Sequence, residues 1–201
     1  MVVVNTFDAS SVDTDVKAML TWRNADGDRL EQVRLNTSGA RVRAYGRIVA
    51  AATADCEAYS ASYEFVTTDR GVTRRLSVRL LRAGGESSLD ISRDMDGRWM
   101  VQTPTSTVRS DFDGAEVIDL ALSPFFKGVP IRRFGIVDGA VRDDVTVVTL
   151  RLPDCEIDSV PMSYAGLGEG RVRITDPTGS VELTVDDAGV VRDYDGIAAL
   201  L

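Results

Sequence analysis

Apolar and polar residues alternate one by one along much of this chain, and this alternation restricts its fold more than any other feature. In the segment YSASYEFVTT, one face of an extended chain would carry Tyr59, Ala61, Tyr63 and Phe65. A period of two residues is typical of β-strands that have one buried and one solvent-facing side. The same alternation occurs in VTRRLSVRLL (72–81), RVRIT (171–175) and VELTV (181–185).

Turn sequences separate the alternating segments. Asp-Gly pairs stand at 26–27, 96–97, 113–114, 138–139 and 195–196. Asp-Gly suits the tight turns of β-hairpins, so the predicted arrangement is an antiparallel meander. Strands are predicted at 16–23, 29–36, 41–51, 58–67, 72–82, 87–93, 98–102, 116–122, 131–137, 144–151, 156–163, 171–175, 181–186 and 190–194. A short helix is considered within 10–20, and DGIAALL at 195–201 is read as either a helical turn or a last strand.

A meander of this length cannot stay flat, because strand twist makes a large sheet curl, split or close. The expected fold class is all-β: a curved antiparallel meander that forms an open or partly closed barrel with an apolar concavity, and at most one or two short helices. No shift in composition divides the chain, so residues 1–201 are predicted to form a single domain. A large curled sheet tends to enclose a hollow, and a hollow implies a ligand.

Charge and hydropathy argue against several classes of partner. The formal net charge is −8, which repels phosphate backbones and anionic lipid surfaces, so no nucleic-acid partner is expected. The longest apolar runs are too short for a membrane span, and the first residues do not resemble a secretory signal. Cys56 and Cys155 are interpreted as reduced thiols of a cytoplasmic protein, with a long-range disulfide as the alternative.

The chain has no histidine, which excludes the commonest catalytic triads, His-ligated zinc and imidazole proton transfer. Asp94 and Asp96 are spaced like the start of a calcium loop, but Thr105 stands where the loop needs an acid. No catalytic residue, metal ligand or cofactor is therefore predicted. A binding protein is favoured over an enzyme, and the question of catalysis stays open.

Two adjacent arginines lie in an otherwise apolar segment, SPFFKGVPIRRF (123–134). In the predicted strand 131–137, Arg132 and Arg133 would point to opposite faces, and one of them would be buried. A buried guanidinium needs a carboxylate partner, for which Asp119 is the first candidate and Glu31 the second. Two interpretations remain: an ion-pair network that fixes strand register, or a fork that holds a carboxylate, phosphate or sugar hydroxyl at a cavity mouth.

The segment VIDLALSPFFKGVPIRRF (117–134) is similar to the signature of the Putative glycolipid-binding family of small bacterial proteins. Asp119, Ser123-Pro124-Phe125 and Pro130–Arg133 stand at the family's positions. The resemblance extends to Trp22, the Leu30-Glu31 pair, LDISRDMDGRW (89–99), MSYAGL (162–167) and the C-terminal segment 183–197. This chain departs from the pattern with Lys127-Gly128 in place of Asn-Thr, Val117 in place of a first Asp, and Asp195 in place of Pro.

The resemblance implies a fold similar to the open half-barrel of bacterial lipoprotein carriers, with a glycolipid or fatty-acyl amphiphile as ligand. The candidate ligand-binding residues are Arg132, Arg133, Asp119, Glu31, Trp22 and Tyr164. Trp22 and Tyr164 are the candidate cavity walls, with ordinary core packing as the alternative. The leading hypothesis is a non-catalytic binding or carrier protein. The alternatives are a hydrolase or transferase that acts on a lipid intermediate through Asp/Glu and Arg groups, and a scaffold whose edge strands pair with another chain. The oligomeric state is left open.

Overall fold

One large sheet dominates the computed structural model, which describes residues 15–201. Within these residues the sheet has fifteen strands: β1 Lys17–Asn24, β2 Arg29–Ser38, β3 Arg41–Ala50, β4 Tyr59–Thr67, β5 Thr73–Arg82, β6 Gly85–Arg93, β7 Trp99–Gln102, β8 Thr107–Ser110, β9 Val117–Leu120, β10 Val141–Arg151, β11 Glu156–Gly168, β12 Arg171–Asp176, β13 Gly179–Val185, β14 Val191–Tyr194 and β15 Ala198–Leu200. The helical elements are a short 3-10 turn at Phe112–Gly114 and one α-helix, α1, at Pro124–Phe134.

The strand order shows how the meander is built. From one edge to the other, the sheet runs from β8 down to β1, then from β15 down to β9. Neighbouring strands are antiparallel except for β9 and β10, which are parallel. Parallel strands cannot be joined by a hairpin and need a crossover. Helix α1 provides that crossover, because it lies between β9 and β10 in the chain.

The sheet curls until its two ends approach each other. The backbone N–H of Thr73 in β5 donates to the Glu116 carbonyl just before β9, at 2.8 Å. The Trp99 indole N–H in β7 donates to the Ala115 carbonyl at 3.0 Å. These bonds join the halves of the sheet around α1. The predicted all-β fold is confirmed in its open form: a curled, mainly antiparallel sheet that does not close, with little helix.

Helix α1 fills the apolar concavity of this curled sheet. The rings of Phe125 and Phe126 pack against Tyr63 and Phe65 of β4, with centroid distances of 5.0–6.2 Å. A void of only about 20 Å³ remains between the helix and the sheet, beside Trp22 and Phe125. The alternating pattern identified the apolar face correctly, but the hollow expected behind it is occupied by the chain itself.

The predicted strand at 131–137 is wrong, because its first part belongs to α1. The Ser123 side chain caps the helix by accepting the Phe126 N–H, and Pro124 occupies the first turn. Gly135 ends the helix in the left-handed conformation. Cap, proline and terminal glycine are the ordinary boundary signals of a helix. They outweigh the apolar run that suggested a strand.

The segments at the two ends of the described chain both form strands. The suggested helix at 10–20 lies partly outside the described residues, and its described part contributes to strand β1, which begins at Lys17. The C-terminal segment forms a strand, β15, in agreement with one of the two alternatives. The short strand β8 was not predicted. Its sequence, TVRS, is too short to show an alternating pattern.

We expect Gly46→Ala to destabilise the protein. A Cβ atom at Gly46 would lie 1.9 Å from Cζ of Tyr63, whose ring covers this position on the concave face. The ring is held against Phe126 of α1, so it cannot move without disturbing the core. Overpacking of this kind costs roughly 1–3 kcal/mol, measurable by urea unfolding.

Gly84→Ala is the matched control, because a Cβ atom there meets nothing within 4 Å. Equal unfolding midpoints for Gly46→Ala and the wild type would contradict the close contact between Gly46 and Tyr63.

Candidate functional site

A buried carboxylate connects α1 to the sheet. Glu31 in β2 is 2% exposed. Its carboxylate accepts the Tyr63 hydroxyl at 2.7 Å and the Ser123 hydroxyl at 2.8 Å. Burial raises the pKa of Glu31, although the nearby Arg29 charge and these two hydrogen bonds oppose the rise. The Glu31 side chain therefore links β2, β4 and Ser123, the residue that precedes the helix.

A second buried tie lies one helical turn further along α1. The Lys127 ammonium is 2.5 Å from Oδ2 of Asp119 in β9, and both residues are buried. Burial lowers the pKa of Lys127, but the Asp119 carboxylate, Tyr194 and Asp176 together outweigh that effect, so the pKa is raised. Burial raises the pKa of Tyr164 and of Tyr194; the Lys127 ammonium opposes the rise at Tyr194, and the Asp119 carboxylate adds to it at both phenols.

The predicted pairing of the arginines with Asp119 or Glu31 is wrong. Asp119 pairs with Lys127, and Glu31 binds two hydroxyl groups. Arg132 and Arg133 lie in the last turn of α1 rather than in a strand, where positive charge interacts favourably with the helix dipole. The prediction that the two arginines point to opposite faces assumed a strand, so it is wrong for the same reason as the strand itself.

Each arginine has a different set of partners. Arg132 is 5% exposed and donates to two backbone carbonyls, Ala188 at 2.8 Å and Gly39 at 2.6 Å. Arg133 is more exposed and forms an ion pair with Glu116 at 2.6 Å. Arg132 therefore ties the helix end to the turns of two distant hairpins, whereas Arg133 holds the segment that precedes β9.

An open cleft lies at the end of α1, with a volume of about 530 Å³. One wall is apolar and consists of Ile131, Ile136, Val137, Val172 and Val185. The charged lining consists of Arg132, Arg171, Asp138, Glu169, Asp186 and Asp187. Four carboxylates against two guanidinium groups give this lining a negative balance. Arg132 also borders the small internal void, so its side chain stands between the cleft and the interior.

The six candidate residues of the sequence analysis do not lie together at one site in the structure. Arg132 lines the cleft, and Trp22 borders the internal void while its indole N–H donates to the Val191 carbonyl at 2.8 Å. Glu31, Asp119 and Tyr164 are buried beneath α1 and around it. Arg133 lies outside the cleft lining.

Sequence reasoning missed the residues that shape the cleft. Val137 and Asp186 were predicted as the last residues of the strands at 131–137 and 181–186, and Asp138 as part of an Asp-Gly turn. Turn chemistry identifies where the chain reverses, but it does not show that two turns far apart in the sequence face each other. Lys127 was recognised as a departure from the family pattern. Its charge, within an otherwise apolar segment, was the available signal that it has a partner, which the structure identifies as Asp119.

Other candidate chemistry can be placed as well. In residues 15–201, no group of three or more Cys, Asp or Glu side chains is arranged to hold a metal ion. Within the same residues, no helix has the length and hydropathy required to cross a bilayer. Cys56 and Cys155 are both free thiols.

Lys127→Met is expected to lower the free energy of unfolding by roughly 3–5 kcal/mol, because it leaves the Asp119 carboxylate buried and uncompensated. Urea unfolding measures the loss. The double variant Lys127→Met/Asp119→Asn removes both charges and should recover part of it. Arg173→Met breaks the exposed pair with Glu182 and should cost less than about 1 kcal/mol. A Lys127→Met variant as stable as Arg173→Met would refute the buried tie.

The raised pKa of Glu31 predicts a pH-dependent contribution to stability. A carboxyl group whose pKa is higher in the folded state favours folding most when it is protonated. Its contribution is complete below the ordinary value of 4.5 and is lost as the pH rises through the folded-state pKa. The stability of the wild type relative to Glu31→Gln should therefore fall as the pH increases from about 4.5.

Urea unfolding of both proteins at several pH values gives this difference directly. Glu156→Gln, at an exposed position that has no ion pair within residues 15–201, controls for the general loss of one negative charge. A wild-type-minus-Glu31→Gln difference that does not change with pH would show that the Glu31 carboxyl has the same proton affinity in the folded and unfolded states.

Comparison with known proteins agrees with the architecture. Among solved structures, the chain is similar to a DUF1089 family protein from Pseudomonas aeruginosa, at 24% identity and a TM-score of 0.70, over 85% of this chain and 90% of that chain. At this identity the likeness concerns the fold. A search of curated proteins gave no match. A family match covers residues 19–199, from β1 into β15. The chain therefore belongs to the Putative glycolipid-binding family.

Proposed function

We propose that this protein is a non-catalytic binding or carrier protein for a glycolipid-like amphiphile, which it holds in the cleft at the end of α1. The observation that carries the proposal is the combination of an apolar wall and a charged rim in one opening of about 530 Å³. Ligand sites in proteins typically have volumes of roughly 300–1,000 Å³ and combine apolar lining with a few polar groups. The family description gives independent support for this ligand class.

The apolar part of the ligand would pack against the wall formed by the end of α1 and the adjoining strands. Ile131 lies in α1, Ile136 follows its C-terminal end, and Val172 lies in β12, but these three side chains are buried. The aliphatic surface accessible to a ligand therefore comes from Val137, at 51% exposure, and from the half-buried Val185 of β13. Burial of this surface stabilises a complex by about 25 cal/mol per Å² removed from water.

The charged rim favours an uncharged, hydroxyl-rich head group. Carboxylates accept hydrogen bonds, so Asp138, Glu169 and Asp187 can each accept a hydrogen bond from a sugar hydroxyl. Arg132 and Arg171 supply donors for sugar oxygens. Because carboxylates outnumber guanidinium groups, an anionic head group would meet net repulsion. The rim therefore selects against fatty acids and phospholipid anions relative to neutral glycolipids.

The remaining candidate residues hold α1 in position. Glu31 and Asp119 anchor the first half of the helix, and Trp22 and Tyr164 pack in the core around it. They would act on the ligand by fixing the cleft wall. Asp186 lies two residues before Ala188, which is a partner of Arg132. It accepts the N–H groups of Ala188 and Val190 and pairs with Arg192. That engagement suits a turn residue better than a general base, so binding is favoured over hydrolysis.

The test is calorimetric titration with dodecyl maltoside below its micelle concentration. We expect saturable binding by the wild type and weaker binding of dodecanoate, which has the same chain length and an anionic head. Val137→Glu places a charge in the apolar wall and should weaken dodecyl maltoside binding at least about tenfold.

Val141→Glu is the matched control, because Val141 is similarly exposed, at 57%, and lies outside the cleft lining. Absence of binding by the wild type, or an equal loss in both variants, would refute the cleft as the site. Equal affinity for dodecanoate would refute the selection for a neutral head group.

A further inference from the structure

We propose that the outer face of the sheet, across β1–β6, is a second binding site, and that its ligand is an anionic oligosaccharide. This face is separate from the cleft, and the two share no lining residue. The inference therefore goes beyond the proposed amphiphile binding and does not depend on it.

The outer face forms a groove of about 570 Å³. Tyr63 and Phe65 of β4 point toward α1, so the alternate residues Ser62 and Glu64 point away from it. Strand register places Arg34, Tyr45, Glu64, Ser77 and Asp90 in one row across β2 to β6. An adjoining hollow of about 290 Å³ shares Arg34 and Tyr45 with the groove, which makes one continuous polar surface.

The charge of the groove is opposite to that of the protein. The lining includes four arginines, Arg34, Arg47, Arg75 and Arg79, and two carboxylates, Glu64 and Asp90. These six side chains sum to +2, in a chain whose formal net charge is −8. A local positive surface on an acidic protein attracts an anion at short range while the overall field repels large polyanions.

Two of the arginines are available for a ligand. Arg75 pairs with Asp90 at 2.7 Å, and Arg79 pairs with Glu86 at 2.9 Å. Across residues 15–201, neither Arg34 nor Arg47 has a carboxylate partner. They lie on neighbouring strands as diagonal neighbours, because Arg34 is paired with Tyr45 and Arg47 with Gln32 in the register. A guanidinium group binds a carboxylate through two parallel hydrogen bonds, so this pair can receive two separate acidic groups.

The rest of the lining favours a saccharide over other anions. The Tyr45 ring is 41% exposed, and aromatic rings pack well against the apolar face of a pyranose. Ser62 contributes a hydroxyl group to the lining, and Ser77 and Gln32, which donate to Asp90 and Thr21, keep oxygen atoms that can accept from sugar hydroxyls. Met19 is the only aliphatic side chain of the lining that is strongly exposed, so an acyl chain would find little surface. An acidic sugar matches both the positive charge and the polar lining.

The experiment compares trigalacturonate with the neutral trisaccharide maltotriose by calorimetric titration at low ionic strength. We expect the wild type to bind trigalacturonate and to bind maltotriose at least about tenfold more weakly. Added salt should weaken trigalacturonate binding, since the attraction is between exposed charges. The double variant Arg34→Gln/Arg47→Gln should lose at least about tenfold in affinity.

The control is Arg70→Gln/Arg109→Gln, which removes the same charge at two exposed positions outside the groove. It should bind trigalacturonate like the wild type. Absence of binding by the wild type, equal losses in the two double variants, or equal affinity for maltotriose would each overturn the proposal. Binding to vesicles of anionic phospholipid without binding to trigalacturonate would also overturn it, by assigning the face to a membrane. Dodecyl maltoside titration of the same variants reports on the cleft independently.

Discussion

The docking of α1 in the curled sheet is the interaction on which the rest of the structure depends. A sheet of this width has one face that is apolar along most of its strands, and without a covering element that face would be exposed to water. Phe125 and Phe126 supply the apolar contact, which is not directional. The hydrogen bonds of Ser123 to Glu31 and the pair of Lys127 with Asp119 are directional, so they determine how the helix is rotated and how deeply it lies.

Because α1 fills the concavity, the openings large enough for a ligand lie at the periphery of the molecule. The internal void is far too small for an acyl chain, and the two large openings lie at the end of the helix and on the outer face of the sheet. These openings have opposite electrostatic character, because carboxylates dominate the cleft and arginines dominate the groove. If both proposed sites bind their ligands, neutral and acidic head groups would be separated by location on a protein whose net charge is −8.

The alternating strands were predictable because burial of one sheet face imposes a period of two on the sequence, as in β4, where each second residue from Tyr59 to Phe65 is buried. Helix α1 was not predicted because nine of its eleven residues are buried, which leaves no polar face and no helical period. Its boundary residues Ser123 and Gly135 were the usable signals. The bond between Ser123 and Glu31 joins residues 92 positions apart, and only the folded topology brings them together.

The Lys127–Asp119 pair shows how this chain differs from the pattern of its family. The resemblance places Asn at the position of Lys127 and a further Asp at the position of Val117. An amide can donate a hydrogen bond to Asp119 but cannot neutralise it, and a second carboxylate would add to the buried negative charge. This chain has Val117 packed in the core and Lys127 paired with Asp119, so the buried set carries no net charge at this point. Lys127 therefore satisfies the Asp119 carboxylate from within the chain, so no charged ligand is needed at this position.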